Sequence, residues 1–250
     1  MKDFAVVIPA YNETLTILKV VREALKITPI VIVVNDASQD DTVGLVKKTS
    51  AVLIDLPENG GKAKALQAGF SKALELGVDA VVTLDGDAQH NPLDIPKLAT
   101  YFDAYPNTLC IASRLNDRQN APRSRRMANG IADFWVSWAA GTPIADSQSG
   151  FRLYPVTLLQ AIDLIYESKS GFVFESEVII DAAHLGYDFV FIPIDTVYAK
   201  ERRESHFRAG FDITHITLMV AKKLFKKGMN LPGLVCSLTK KPNIFKETDA

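Results

Sequence analysis

The chain has 250 residues, a formal net charge of −1 and 48% hydrophobic residues. That length fits one domain, or one domain with a modest extension, and the hydrophobic fraction is enough to build a large core. The balanced charge excludes the strongly basic character typical of nucleic-acid-binding proteins, so we expect no nucleic-acid partner. Cys110 and Cys236 lie far apart and fit neither a disulfide framework nor a metal-binding spacing. No run approaches the roughly 18 consecutive apolar residues needed to span a bilayer.

The first half of the chain alternates between strand and helix patterns. Apolar runs at 4–9 and 29–35 are typical of strands buried on both faces of a parallel sheet. A third, weaker strand is predicted at 51–56, and a fourth leads into Asp85. The first helical segment has apolar residues at helical spacing, namely Leu15, Leu18, Val21 and Leu25. The alternation predicts an α/β fold with a doubly wound, mostly parallel sheet and helices on both faces.

Polar clusters follow the four predicted strands at their carboxyl ends. These clusters are residues 11–13, 35–38, 59–62 and 85–89. In open α/β sheets, ligands bind beyond the carboxyl ends of the strands. A polar loop at one strand end is an ordinary connection, but four such clusters at the same edge predict a nucleotide site.

The fourth cluster begins with Asp85-Gly86-Asp87 and also contains Gln89. If the strand extends to Asp87, its period of two places Asp85 and Asp87 on the same face. Two carboxylates that close repel each other, and a divalent cation removes that conflict, with the Gln89 carbonyl as a further oxygen ligand. The alternative is a hairpin turn at Asp-Gly, although no alternating strand pattern follows it.

The second half of the chain is less regular. Further strands are predicted at 108–113 and 189–194, and helices at 129–140 and 175–185. The densest basic run comprises Arg114, Arg118, Arg123, Arg125 and Arg126. A solvated loop and a phosphate-binding clamp explain this run equally well.

Residues 211–236 mix apolar side chains with lysines. The lysines are Lys222, Lys223, Lys226 and Lys227. This pattern suits a helix that lies on an anionic membrane surface, and it equally suits a helix packed on its own domain with the lysines outward. No signal segment precedes the first strand, so we expect a cytoplasmic protein, either free or peripheral on the cytoplasmic membrane face.

The motifs together resemble the family-2 glycosyltransferases of the GT-A fold, and within them the polyprenyl-phosphate (dolichol-phosphate) mannosyl- and glucosyltransferases. The matching segments are 8–13, 35–38, 59–62, 85–90, 113–114, 146–154 and the late Arg202-Arg203-Glu204-Ser205. The resemblance covers about residues 4–208. It implies a GT-A domain over 1–208, followed by an amphipathic helical extension and a polar tail over 209–250.

The resemblance also implies roles for individual residues. The nucleobase and ribose would be held by Pro9, Tyr11, Glu13 and Asp36, with Lys62 near the nucleotide. Mg²⁺ or Mn²⁺ and the donor diphosphate would be bound by Asp85, Asp87 and Gln89. The acceptor phosphate would face Arg114 and Arg126, and the donor diphosphate would face Arg202. The chain departs from the family pattern at Asn35 and Ala63, which leaves the nucleobase open.

The acceptor decides which further groups are needed. A hydroxyl acceptor must lose a proton to a base, whereas a lipid phosphate is already anionic. The Glu-Asp base pair and the Gln-x-x-Arg-Trp motif of processive relatives are missing, which favours inverting transfer from a GDP- or UDP-hexose to polyprenyl phosphate. For a hydroxyl acceptor the candidate base is Asp146, which equally well orders the turn that follows it.

Two rival functions remain. A sugar-1-phosphate nucleotidyltransferase would carry a Gly-rich, basic loop directly after the first strand, and residues 10–13 do not form one. A catalytically inactive nucleotide-binding module would share the fold, but the intact Asp-Gly-Asp-x-Gln motif argues against the loss of catalysis.

Overall fold

The computed structural model describes residues 2–115, 123–162, 171–195, 209–226 and 228–245. The strands are β1 (Phe4–Ala10), β2 (Val31–Asn35), β3 (Val52–Asp55), β4 (Ala80–Thr83), β5 (Thr108–Ser113), β6 (Arg152–Pro155) and β7 (Asp188–Pro193). The helices are α1 (Ile17–Leu25), α2 (Thr42–Val46), α3 (Lys62–Glu75), α4 (Ile95–Ala104), α5 (Arg123–Ala140), α6 (Val156–Ala161), α7 (Gly171–His184), α8 (Ala209–Lys226) and α9 (Leu231–Thr239).

The strands form one sheet in the order β3-β2-β1-β4-β6-β5-β7. β1 pairs in parallel with β2 and β4, and β2 with β3. β5 and β7 are also parallel, whereas β6 runs antiparallel between β4 and β5. The predicted mostly parallel α/β sheet is therefore confirmed.

Helices cover both faces of the sheet, as predicted. Successive side chains of a strand point to opposite faces, so Ala5 and Val7 of β1 enter one core while Val6 and Ile8 enter the other. The first core includes buried residues of α3, α5 and α7, and the second includes buried residues of α1 and α4. This double burial explains why the central strands β1, β2 and β4 are apolar without alternation. The edge strand β3 is less buried, with Val52 exposed.

The helix predicted after β1 is confirmed, but its buried face shares only Val21 with the apolar stripe noted in the sequence. Leu15 precedes α1 and is 78% exposed. The residues that α1 buries are Ile17, Val20, Val21 and Ala24. Both stripes have helical spacing, so packing against the sheet, which the sequence does not display, selects between them.

The condition under which Asp85 and Asp87 would share a face of β4 is not met, because the strand ends at Thr83. The chain then turns, and Ala88 adopts a φ of +57°. No hairpin forms here, since a 3-10 turn at Pro92–Asp94 and then α4 follow. The Asn91 side chain caps that turn by accepting a hydrogen bond of 3.1 Å from the Leu93 amide.

The C-terminal helices α8 and α9 pack against α5. The Trp138 indole on α5 donates a 3.0 Å hydrogen bond to the Met229 carbonyl, and the Asn230 side-chain Nδ2 donates one of 3.0 Å to the Trp138 carbonyl. These bonds fix the turn between α8 and α9 on the rest of the domain. Within the described ranges, no helix has both the length and the apolar character that crossing a membrane requires.

Candidate active site

The loops after β1 and β2 are joined by hydrogen bonds. The Asn12 amide donates to the Ser38 hydroxyl at 2.8 Å, and the Gln39 amide donates to Asn12 Oδ1 at 2.7 Å. Asn12 has a φ of +55°, a left-handed conformation that asparagine tolerates better than most residues. The first two polar clusters therefore form one surface at the carboxyl edge of the sheet.

Asp36 connects the second cluster to the third. Its carboxylate is buried and accepts hydrogen bonds from the Gly60 amide at 2.7 Å and the Gly61 amide at 2.9 Å. These contacts shape the loop that leads into α3. The predicted contact of Asp36 with the nucleobase or ribose stays a prediction.

Lys62, the first residue of α3, connects the third cluster to the fourth. Its ammonium lies 2.7 Å from Asp85 Oδ1 and 3.1 Å from Glu175 Oε1. Burial would lower the pKa of Lys62, but the Asp85 and Glu175 charges raise it above the ordinary value. Burial would likewise raise the pKa of Asp85, but the charges of Lys62, His90 and Arg114 hold it below the ordinary value. Both groups are therefore charged at neutral pH.

The first and fourth clusters meet where the strand order reverses, between β1 and β4. A Cβ atom placed on Gly86 would lie 3.4 Å from Glu13 Cγ and 3.5 Å from the Pro9 carbonyl. Such a switch point is the usual ligand crevice of open α/β sheets. The structure thus brings Pro9, Glu13, Lys62 and Asp85 to one crevice.

Arg114, at the end of β5, is bound to Asp146 by three hydrogen bonds. Its backbone amide and Nε donate to Oδ2 at 2.8 and 3.0 Å, and Nη2 donates to Oδ1 at 2.6 Å. Asp133 of α5 holds the Asp146 turn from the other side, because its carboxylate accepts from the Asp146 amide at 3.2 Å and the Ser147 amide at 2.8 Å. Asp146 is buried and has a φ of +49°.

Arg152 lies in β6 and is fully buried beneath this turn. Its guanidinium donates to the carbonyls of Ser149, Glu175 and Ser147 at 2.7, 2.8 and 2.7 Å. These three bonds satisfy the buried guanidinium and fix the turn to α7.

Comparison with known proteins identifies the fold and the family. Residues 5–159 match the profile described as Glycosyl transferase family 2. The chain belongs to this family. The GT-A fold predicted from the sequence is confirmed, and the enzyme is a glycosyltransferase.

Three similar proteins illustrate the relationship. A UDP-N-acetylglucosamine–dolichyl-phosphate N-acetylglucosaminyltransferase of Methanococcus voltae is 28% identical over 86% of this chain and 94% of its own length. An undecaprenyl-phosphate mannosyltransferase of Micrococcus luteus is 30% identical over 82% of this chain and 87% of its own. The crystal structure of glucosyl-3-phosphoglycerate synthase from Mycobacterium tuberculosis with Mn²⁺ and UDP-glucose has a TM-score of 0.66 at 20% identity, covering 89% of this chain and 79% of that one.

The residues of the glycosyltransferase that would hold Mg²⁺ or Mn²⁺ follow β4. Asp85 retains 29% side-chain exposure beside the crevice. Asp87 accepts hydrogen bonds from the Gln89 backbone amide at 3.0 Å and from Gln89 Nε2 at 2.6 Å. The described residues contain no cluster of three His, Cys, Asp or Glu side chains suited to a cation. Two carboxylates nevertheless fit Mg²⁺, which commonly binds one or two of them together with water and substrate phosphate.

The remaining predicted site residues are placed differently. Tyr11 is half-buried in the crevice loop, and Arg126 is exposed on the first turns of α5. Arg114 lies next to Asp146 rather than in an open loop. Arg202 and the other residues of the late Arg-Arg-Glu-Ser segment lie outside the described residues, as do Arg118, Lys227 and the side chains of Arg123 and Arg125.

Among the described residues, three buried charged residues near the crevice received no role from the sequence. They are Asp133, Arg152 and Glu175. Arg152 stands between the apolar Phe151 and Leu153, and Glu175 follows the apolar Phe172-Val173-Phe174, so a charge in an apolar run was the available signal. Asp133 also interrupts an apolar run, between Ala132 and Phe134, but its partners lie in a turn that folds against α5 and could not be read from the sequence.

Proposed function

We propose that this glycosyltransferase transfers a hexose from a GDP- or UDP-sugar to polyprenyl phosphate with inversion. The observation that carries the choice of acceptor is the Arg114–Asp146 pair. Both oxygens of the Asp146 carboxylate accept hydrogen bonds from Arg114, so the one candidate base from the sequence is engaged by a cation. An acceptor that is already anionic does not need that base.

The reaction requires no proton transfer. An oxygen of the lipid phosphate attacks the anomeric carbon of the sugar, and the bond from that carbon to the donor diphosphate breaks. The nucleoside diphosphate leaves with the electron pair, and a single displacement inverts the anomeric centre. The enzyme's task is to orient the two phosphates and to balance their charge.

The crevice residues suit that task. A divalent cation held by Asp85 and Asp87 would neutralise the leaving diphosphate, and Gln89 orients Asp87 or supplies a further ligand oxygen. Lys62 adds a fixed positive charge next to Asp85. We assign Pro9, Tyr11, Glu13 and Asp36 to the nucleoside. Arg126 and Arg202 are assigned to the acceptor phosphate and the donor diphosphate, respectively.

Peripheral membrane contact through the C-terminal extension, residues 209–250, is part of this proposal. Apolar side chains stay exposed on α8 and α9, namely Leu218, Phe225, Leu231, Val235 and Leu238. Exposed lysines accompany them at Lys222, Lys226, Lys240 and Lys241. Exposed apolar residues with adjacent positive charge fit the interface of an anionic bilayer, where a polyprenyl phosphate acceptor resides.

Mass spectrometry tests the reaction directly. The protein is incubated with Mg²⁺ or Mn²⁺, a panel of GDP- and UDP-hexoses and a short polyprenyl phosphate, and a lipid-linked sugar is the expected product. Asp87→Ala should abolish that product. Asp188→Ala is the matched control, since this exposed carboxylate begins β7 and thus lies at the opposite edge of the sheet. Near-normal turnover in Asp87→Ala would refute the assignment of the site.

Two other outcomes decide the acceptor and the membrane contact. Donor hydrolysis without a lipid product would contradict the phosphate acceptor and direct the search to hydroxyl acceptors. The double variant Phe225→Ser/Leu238→Ser should no longer sediment with anionic vesicles. Leu185→Ser should still sediment, because Leu185 is an exposed leucine just beyond α7. Equal sedimentation of the unaltered protein, the double variant and Leu185→Ser would refute contact through α8 and α9.

A further inference from the structure

We infer that Glu175 is a positioning residue for the cation site: it supplies the second counter-charge that keeps Lys62 next to Asp85 when Asp85 binds a cation. This inference rests on the metal site of the proposed function. Glu175 is fully buried on α7, and its Oε1 lies 3.1 Å from the Lys62 ammonium. The same ammonium lies 2.7 Å from Asp85 Oδ1.

The burial of Glu175 requires a reason. A buried carboxylate is unfavourable unless another group compensates its charge, and neither oxygen of the Glu175 carboxylate accepts a hydrogen bond from the described residues. The Lys62 ammonium forms an ion pair with this carboxylate, whereas the buried Arg152 guanidinium is bonded to the main-chain carbonyl of Glu175. Without Lys62, burial of Glu175 would be unfavourable. The position of α7 therefore depends on the lysine at the start of α3.

The geometry has a consequence for cation binding at Asp85. A divalent cation on this carboxylate would stand close to the Lys62 ammonium, and the two positive charges would repel. Glu175 offers the ammonium a second carboxylate at a distance it already reaches. Asp85 can then give oxygen to the cation while Lys62 stays charged and in place.

Gly150 permits this convergence. A Cβ atom at this position would lie 2.6 Å from Lys62 Nζ, 2.7 Å from Asp85 Oδ2 and 3.1 Å from Glu175 Oε1. The three charged groups therefore meet over a backbone that carries no side chain. A side chain at position 150 would force Lys62, Asp85 and Glu175 apart, so the glycine is required for their contact.

A purely structural ion pair and a positioning residue make different predictions. If Glu175 only stabilises the fold, its replacement lowers stability and leaves the cation affinity of the folded protein unchanged. If it acts through Lys62, cation affinity falls, and the fall disappears when Lys62 is removed. Glutamine is the suitable replacement because it keeps the shape and removes the charge.

The experiment titrates Mn²⁺ into the full chain saturated with UDP or GDP and follows free Mn²⁺ by electron paramagnetic resonance. Glu175→Gln should raise the Kd for Mn²⁺ about tenfold, the lower end of the range for groups that orient metal ligands. In the Lys62→Met background the same change should alter Kd less than about twofold, because coupled residues are non-additive. Glu177→Gln is the control, as Glu177 lies on the same helix and pairs with Lys223 at 3.9 Å.

Two results would overturn the inference: an unchanged Kd in Glu175→Gln, or an equal rise in both backgrounds. If Glu175→Gln does not fold, Glu175→Asp replaces it, because aspartate keeps the charge but places it farther from Lys62. The Kd for Mn²⁺ is then compared in the same two backgrounds, with Lys62 and with Lys62→Met. Absence of Mn²⁺ binding by the unaltered protein would overturn the metal site itself. An unchanged Kd in a protein that still forms lipid-linked sugar would overturn only the role of Glu175.

Discussion

The Arg114 guanidinium and the Asp146 carboxylate form a two-point ion pair across 32 residues of sequence, joining the end of β5 to the turn before β6. The side chains are only 18% and 3% exposed. Removal of one partner from such a pair leaves a buried charge without compensation, so the pair is expected to be strongly coupled.

Asp146→Ala should lower the free energy of unfolding by about 3–5 kcal/mol, because the Arg114 charge is left unpaired. The double variant Arg114→Met/Asp146→Ala should lose less stability than the sum of the losses in Arg114→Met and Asp146→Ala. Urea denaturation measures these losses. Glu23→Ala is the control, since its pair with the largely exposed Lys26 should be worth less than about 1 kcal/mol. An additive double variant would contradict the coupling.

Gly150→Ala should reduce turnover far more than stability. The new methyl group would separate Lys62 from Asp85, and a displacement of about 1 Å at a reactive site can lower the rate about 100-fold. Gly130→Ala on α5 is the matched control, because its Cβ would meet nothing within 4 Å and should stabilise the helix by about 0.5–1 kcal/mol. Wild-type turnover in Gly150→Ala would show that the convergence is not needed.

Arg126→Ala should weaken use of the acceptor while leaving the donor almost unaffected. The loss of one charged contact to phosphate, about 1.4 kcal/mol, should raise the KM for polyprenyl phosphate about tenfold. The KM for the nucleotide sugar should stay within about twofold by the same scale. Arg22→Ala, an exposed arginine on α1, is the control. Equal increases in both KM values would argue against an acceptor clamp.

His90 should make stability depend on pH. Burial, reinforced by the Arg114 charge, lowers the pKa of His90 to about 4 from 6.5. Between these values the unfolded chain binds a proton that the native protein does not, so stability falls as pH drops from 6.5 towards 4. The contribution reaches at most about 3 kcal/mol.

The test compares urea denaturation at pH 7 and pH 4.5 in metal-free buffer. Because other groups also titrate, the relevant quantity is the difference between the unaltered protein and His90→Gln, which should lose less stability on acidification. His215→Gln on α8 is the control, as this histidine is exposed. An identical loss in the unaltered protein and His90→Gln would exclude His90 as the cause.

The sequence by itself determined the architecture and the edge of the sheet that carries the site. Strands buried on both faces and helices with one apolar stripe leave local periodic signals, which is why the strands and the main helices were predictable. The polar clusters after β1, β2, β3 and β4 were also visible in the sequence. Because parallel strands bring their carboxyl ends together, these clusters could be assigned to one edge of the sheet.

Only the tertiary structure decided which of these residues meet. The end of β4 at Thr83, the buried stripe of α1 and the pairing of Lys62 with Asp85 and Glu175 all depend on packing between distant segments. The same holds for Asp146, whose two oxygens face Arg114. Periodicity reports only which face of an element is apolar, whereas ion pairs follow from how folded elements are placed in space.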